Sequence, residues 1–196
     1  MEPIILASSS QRRQEIFKQL GIPYMVVMPE IKEEYPTDLE FEKIPEYLAS
    51  QKIKAAMKML PQGQNVPWIF AADTLIFKGD KVYGKPETKE QAVEFLKELQ
   101  DGTHTVITAI ALFNGKINYL STRTSINKVT FSPISDKEIE WYIETGEWHG
   151  VAGAYRIQGM ASCFISHIEG TQSSIIGLPI FEFYDILKEQ GYSLID

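Results

Sequence analysis

Apolar and polar positions follow one another in blocks that read as strand, helix, strand, helix. Residues 3–7 (PIILA) are a short unbroken apolar run, the pattern of a buried strand. Residues 10–20 carry Ile16, Phe17 and Leu20 at helical spacing and stop before Gly21, a residue suited to a helix end. Tyr24–Met28 reads as a second short strand. Ile44–Leu60 reads as a helix with the stripe Leu48, Ala55 and Met59, and Lys52 falls on that stripe. A lysine there either snorkels past the core or points into a cleft.

Trp68–Phe77 is strongly apolar, with Asp73 in its middle. Gly79-Asp80 marks a turn, and Lys81–Tyr83 returns as a short arm. Thr88 and Gln91 have the spacing of a capping box, ahead of the helical core face Ala92, Phe95, Leu96 and Leu99. Val106–Phe113 is a strand pattern, Asn114-Gly115 a strong hairpin signal, and Ile117–Phe131 the returning strand. Ser135 and Glu138 form a second capping box before Ile139, Tyr142 and Ile143. A glycine-rich stretch, residues 150–159, precedes a strand over Ala161–Ile168. Pro179 opens a last helix with Phe183, Tyr184 and Leu187 inward. The pattern defines an α/β chain with long antiparallel hairpins.

Composition narrows the function classes. A chain of 196 residues, 44% hydrophobic and 23% charged, fits one soluble domain or two tight lobes. The one cysteine, Cys163, excludes an internal disulfide, and its apolar neighbours suggest burial. No run approaches the length of a bilayer span and no leader pattern is visible, so a cytoplasmic location is the expectation. The net charge of −7 speaks against bulk nucleic-acid binding. An anionic substrate would then need a local basic site.

The stretch Ser8-Ser9-Ser10-Gln11-Arg12-Arg13 offers one. A buried strand runs into a hydroxyl-rich turn, and a helix opens with two guanidinium groups in its first turn. Cations there oppose the helix dipole unless an anion docks on the backbone N–H groups. Arginine grips phosphate oxygens in pairs. The alternative is a pair of solvated arginines at an ordinary helix start. Asp73 is the second clue, because a carboxylate inside an apolar run needs a partner, a metal or backbone donors. Thr74 beside it can hydrogen-bond a ligand. Gly84-Lys85-Pro86 fixes a lysine between two turn formers. In the acidic pair Glu33-Glu34, one carboxylate could complete a Mg²⁺ site with Asp73. His104, His149 and His167 lack metal-ligand spacing, and no Walker loop, Gly-x-Gly-x-x-Gly or Gly-x-Ser-x-Gly is present.

Taken together, Leu6–Arg13, Ala72-Asp73-Thr74, Gly84-Lys85-Pro86, Gly153–Gly159 and Ile176-Gly177-Leu178-Pro179, in this order, resemble the Maf proteins, nucleoside triphosphate pyrophosphatases of bacteria and eukaryotes. The resemblance covers nearly the whole chain. It implies an inosine-triphosphatase-like fold: a long twisted mixed sheet with flanking helices, in one domain of two lobes around a nucleotide cleft. It also implies a homodimer and a divalent cation, Mg²⁺ or Mn²⁺. Asp73 matches the proton acceptor, and Arg12, Thr74 and Gln158 match positions linked to base specificity. Ser8, Arg13, Glu33, Lys52 and Lys85 match the set lining the phosphate and metal site, with Glu33 and Asp73 toward the metal. The Ala-Gly-Ala-Tyr…Ile-Gln-Gly form resembles the dTTP/UTP subgroup rather than the 7-methyl-GTP subgroup. The chain departs from the pattern at Gln11, Val151, Arg156 and Ser174, and two of these flank the implied base site. Arg156 would supply in part the charge missing at Val151, and would demand a different backbone if the usual glycine has positive φ. Other readings are the same chemistry on another base, a nucleotide-binding regulator of septum formation, or a nucleic-acid-binding module, which the acidic balance disfavours.

Overall fold

The computed structural model describes residues 1–32, 34–61 and 68–195. The strands are β1 (Ile4–Ala7), β2 (Tyr24–Val27), β3 (Trp68–Lys78), β4 (Lys81–Tyr83), β5 (Gly102–Asn114), β6 (Tyr119–Phe131) and β7 (Ile165–Glu169). The helices are α1 (Gln11–Gln19), α2 (Ile44–Met59), α3 (Lys89–Leu99), α4 (Asp136–Glu144), α5 (Gln172–Ile176) and α6 (Ile180–Glu189). Among the described residues these seven strands form a mixed sheet in the order β2-β1-β3-β5-β6-β7, with β4 paired on β3. β1 runs parallel to both neighbours, pairing Ile5 with Met25 and Ile69. β4 and β7 add antiparallel pairs.

The chain divides into two compact units. The first is Met1–Asp73, Thr108–Ser125 and Gly177–Asp196, and the second is Thr74–Ile107 and Ile126–Ile176. In the first, Ile5, Ala7, Ile69 and Ala71 of the sheet pack with Ala49, Ile53 and Ala56 of α2. Phe17, Phe70 and Phe183 pack as tilted rings with 4.7–5.4 Å between centroids. In the second, α3 and α4 bury Phe95, Leu96, Ile139 and Tyr142 with Val129 and Phe131 of β6. Helices with one apolar face and strands with near-continuous apolar runs leave little choice but such layers.

Most predicted elements are present, and the differences have local causes. On α2 the buried face is Ile44, Leu48, Ala49, Ile53 and Ala56, whereas Met59 is exposed and Ala55 half-buried. The stripe is turned by about one residue because Leu48 starts an i, i+5, i+8 series, not the one through Ala55. The Thr88 box is shifted too: Thr88 Oγ1 accepts from the Gln91 N–H, but Gln91 Oε1 accepts from Glu87 instead of Thr88. Ser135 and Glu138 make a full capping box. The Asn114-Gly115 hairpin has a four-residue turn, with Asn114 Oδ1 accepting from the Lys116 N–H and Asn118 at φ +51°. The strand expected over 161–168 is split. Met160–Phe164 is a 3-10 turn, so Cys163 is exposed, contrary to the burial expected of it. On α6, Ile186 rather than Tyr184 joins Phe183 and Leu187 in the interior.

Candidate active site

The strand-to-helix passage at β1–α1 behaves as a device for holding charge. Ser10 precedes the helix without a side-chain cap, and the first turn has no acidic residue. The positive end of the helix dipole is therefore not countered by the helix's own side chains. Arg13 lies inward, almost wholly buried. Its Nε donates to the Gly177 carbonyl at 2.7 Å, and its Nη1 donates to Ser8 Oγ at 3.2 Å. Ser8 Oγ also accepts the Ser10 N–H at 3.2 Å, which shapes the turn. Burial lowers the Arg13 pKa from 12.5 to about 10, with Asp73 pulling it up and Arg12 pushing it further down. Arg12 is half-buried on the same turn.

β3 delivers the carboxylate. Its residues are buried on both faces, so Asp73 is enclosed as well. Lys52 comes from α2, next to the buried Leu48 and Ala49, and donates to Asp73 Oδ1 in a close ion pair. Lys52 Nζ also lies 3.5 Å from the Ala72 carbonyl. The lysine on the apolar stripe thus bypasses the core to meet a buried carboxylate. Asp73 Oδ2 is buried with no hydrogen-bond partner among the described residues. Such an atom is costly unless something charged or hydrogen-bonding meets it. Ser8, Arg12, Arg13, Lys52 and Asp73 hence form one cluster in the first unit, three cations to one carboxylate. Glu33, expected at the metal site, lies outside the described residues.

Thr74, Lys85 and Gln158 belong to the second unit. Thr74 follows Asp73 on β3 and is half-buried, whereas Lys85 and Gln158 are exposed. Gly153 N–H donates to the Gly84 carbonyl at 3.0 Å, which ties the Gly-Lys-Pro turn to the segment carrying Gln158. Val151 is buried, and Arg156 keeps a negative φ, so its arginine brings no left-handed strain. The strain falls on Ala154 instead, at φ +62°. Arg156 Nη2 donates to the His149 carbonyl at 3.2 Å. Ser174 is fully buried and accepts from Asn127 Nδ2 at 2.7 Å. An open groove of about 890 Å³ on the first unit, lined by Met28, Tyr35, Tyr47, Lys54 and Lys58 among others, includes none of the described candidate residues.

Sequence reading did not single out His104 as functional. It is buried, and its Nε2 lies 2.8 Å from Tyr155 Oη. Burial lowers its pKa from 6.5 to about 3, helped by Lys78, so the ring is neutral. The signal was the alternation of β5: His104 shares the inward parity of Val106, Thr108 and Ile110.

A mixed α/β chain that collects cations around one buried carboxylate, at an uncapped helix start, is built to handle a polyanion. The chain belongs to the Maf family: the family model, described as Maf-like protein, matches residues 3–190. It is 37% identical over the full length of both chains to a dTTP/UTP pyrophosphatase of Treponema denticola. It is 39% identical to a dTTP/UTP pyrophosphatase of Hydrogenovibrio crunogenus, over 96% of each chain. Among solved structures, the Ham1 protein of Staphylococcus aureus is 20% identical, covering 69% of this chain and 73% of that one, with a TM-score of 0.45. Among the described residues no helix is long and apolar enough to cross a membrane.

Proposed function

We propose that this protein hydrolyses dTTP and UTP to the nucleoside monophosphate and pyrophosphate. The observation that carries the reading is Asp73: a buried carboxylate held by Lys52 at Oδ1, with no hydrogen-bond partner for Oδ2 among the described residues. The family relatives named dTTP/UTP pyrophosphatase supply the substrate class. Arg12, Arg13, Lys52 and Lys85 neutralise the triphosphate, and Ser8 holds the Arg13 fork in place. Water attacks the α-phosphorus, and its proton passes to the Asp73 carboxylate. The bond from the α-phosphorus to the bridging oxygen breaks, and pyrophosphate leaves with that oxygen. Fixed cations favour the charge that spreads over the phosphoryl oxygens, and they do so without reorganising. Thr74 and Gln158 face the base, since a hydroxyl and an amide together offer donor and acceptor to a pyrimidine edge.

A divalent cation fits the donor set. Asp73 Oδ2 is a hard oxygen without a partner among the described residues, and the resemblance to the Maf proteins adds the carboxylate of Glu33. These two residues would hold Mg²⁺ or Mn²⁺, with phosphate oxygens and water as its other ligands. When bound, the ion offsets phosphate charge and acidifies water. The test is pyrophosphate release from a panel of nucleoside triphosphates with and without Mg²⁺ or Mn²⁺. Metal-dependent release from dTTP and UTP is the expected result. Release confined to 7-methyl-GTP or another purine would overturn the assigned substrate, and no release from folded protein would overturn the reaction.

A further inference from the structure

The second unit holds a group of polar side chains that this chemistry does not use. They back the segment Gly153–Met160 at successive points. Gly153 N–H meets the Gly84 carbonyl at 3.0 Å. Tyr155 Oη meets His104 Nε2 at 2.8 Å, and the Tyr155 ring packs edge-on against Phe131 at 4.8 Å. Arg156 N–H donates to the buried Tyr142 Oη at 3.1 Å. Met160 N–H donates to Glu147 Oε2 at 2.9 Å. The backbone is committed as well. A Cβ on Gly159 would lie 2.2 Å from Glu147 Oε2, and one on Gly153 would lie 2.6 Å from Ile76 Cδ1. Ala154 accepts a left-handed φ that costs a non-glycine residue roughly 1 kcal/mol. Strain of this kind persists where the surroundings over-determine the conformation. Within this tightly fixed segment Gln158 is exposed.

We propose that Tyr142, Glu147 and His104 are positioning residues for base selection, a reading that rests on Gln158 contacting the base. A glutamine amide turned by half a rotation exchanges its donor and acceptor. Thymine and uracil present a carbonyl acceptor beside an N–H donor, whereas cytosine presents an amino donor beside a ring-nitrogen acceptor. A backbone held on both sides of Gln158 fixes the position and direction from which its amide reaches the base, so that one edge is met at good distance and angle. A backbone released on one side lets the amide adapt to either edge. Tyr142 and Glu147 hold the two flanks, at Arg156 and Met160, and His104 holds the segment's start through Tyr155.

The experiment compares kcat and KM for dTTP and dCTP in wild type, Tyr142→Phe, Glu147→Ala and Glu147→Gln, with thermal melting of each. Tyr142→Phe removes the acceptor for Arg156 N–H, and Glu147→Ala removes the acceptor for Met160 N–H. In both, the dTTP to dCTP ratio of kcat/KM is expected to fall roughly tenfold, the loss of one discriminating polar interaction. The change falls on KM, with kcat for dTTP within about threefold of wild type, because the phosphate cluster is untouched. Glu147→Gln keeps a carbonyl acceptor and restores the ratio. Glu147 is half-buried at the end of its turn, so its variants test the idea even if Tyr142→Phe fails to fold. An unchanged ratio in folded Glu147→Ala, or equal losses on both nucleotides, would overturn the inference. A wild type active on dTTP but without preference over dCTP would overturn it too. A wild type inactive on every triphosphate would instead overturn the proposed function, and this inference with it.

Discussion

In the first unit, Ser8, Arg12, Arg13, Lys52 and Asp73 gather three cations around one buried carboxylate. In the second, the segment Gly153–Met160 is fixed largely by neutral donors and acceptors around a phenol, an imidazole and backbone amides. The first arrangement concentrates charge, which is expensive to bury and draws counter-charge to it. The second fixes backbone N–H groups locally at Gly153, Arg156 and Met160, while His104 Nδ1 and Arg156 Nε are buried without a hydrogen-bond partner among the described residues. In the proposed reading, charge serves the triphosphate, which every nucleotide shares, and shape serves the base, by which nucleotides differ.

The comparison is broken most sharply at Asp73. Asp73→Asn keeps the size and removes the proton acceptor, so turnover should fall by about 10³-fold or more while circular dichroism stays near wild type and the melting temperature drops, because Lys52 loses its partner. Near-normal turnover would remove Asp73 from the chemistry. Lys52→Met strands the Asp73 carboxylate and should cost about 3 kcal/mol in urea unfolding. The double variant Lys52→Met/Asp73→Asn should recover much of that loss, since neither charge remains; additive losses would show that the pair is not coupled.

The second unit should respond to pH rather than to charge loss. His104 is neutral when folded, with a pKa of about 3, but titrates near 6.5 when unfolded. The unfolded state therefore binds more protons between these values, and stability rises with pH across that window and levels off above it. Acidification from about pH 7.5 to about pH 5 should remove roughly 2 kcal/mol through this residue. His104→Gln should lack that part of the slope, and equal slopes in the two proteins would show that His104 is not its source. The smallest effect is expected for Arg13→Lys. It keeps a cation but loses the fork shared by Gly177 and Ser8, at about 1 kcal/mol, read from the urea midpoint.

Much of the charge cluster was legible because its residues break local rules. Asp73 interrupts an apolar strand, Lys52 sits on an apolar stripe, and two arginines open a helix where acids are usual. The partners were less legible. Arg13 meets Gly177 across 164 positions, a contact no local pattern announces. The stripe on α2 was misplaced at Ala55 and Met59, since alanine and methionine suit either face of a helix. The strand expected over 161–168 failed because apolar composition does not separate a 3-10 turn from a short strand. The backing of Gln158 was the least visible. Tyr142 reads as core, Glu147 as an ordinary surface acid and His104 as a scattered histidine, and only the fold brings them to one segment.

The most direct test of the central claim is hydrolysis of dTTP in ¹⁸O-labelled water with mass analysis of both products. Attack on the α-phosphorus places the label in the nucleoside monophosphate and leaves pyrophosphate unlabelled. Label in pyrophosphate, or release of orthophosphate as the primary product, would contradict it.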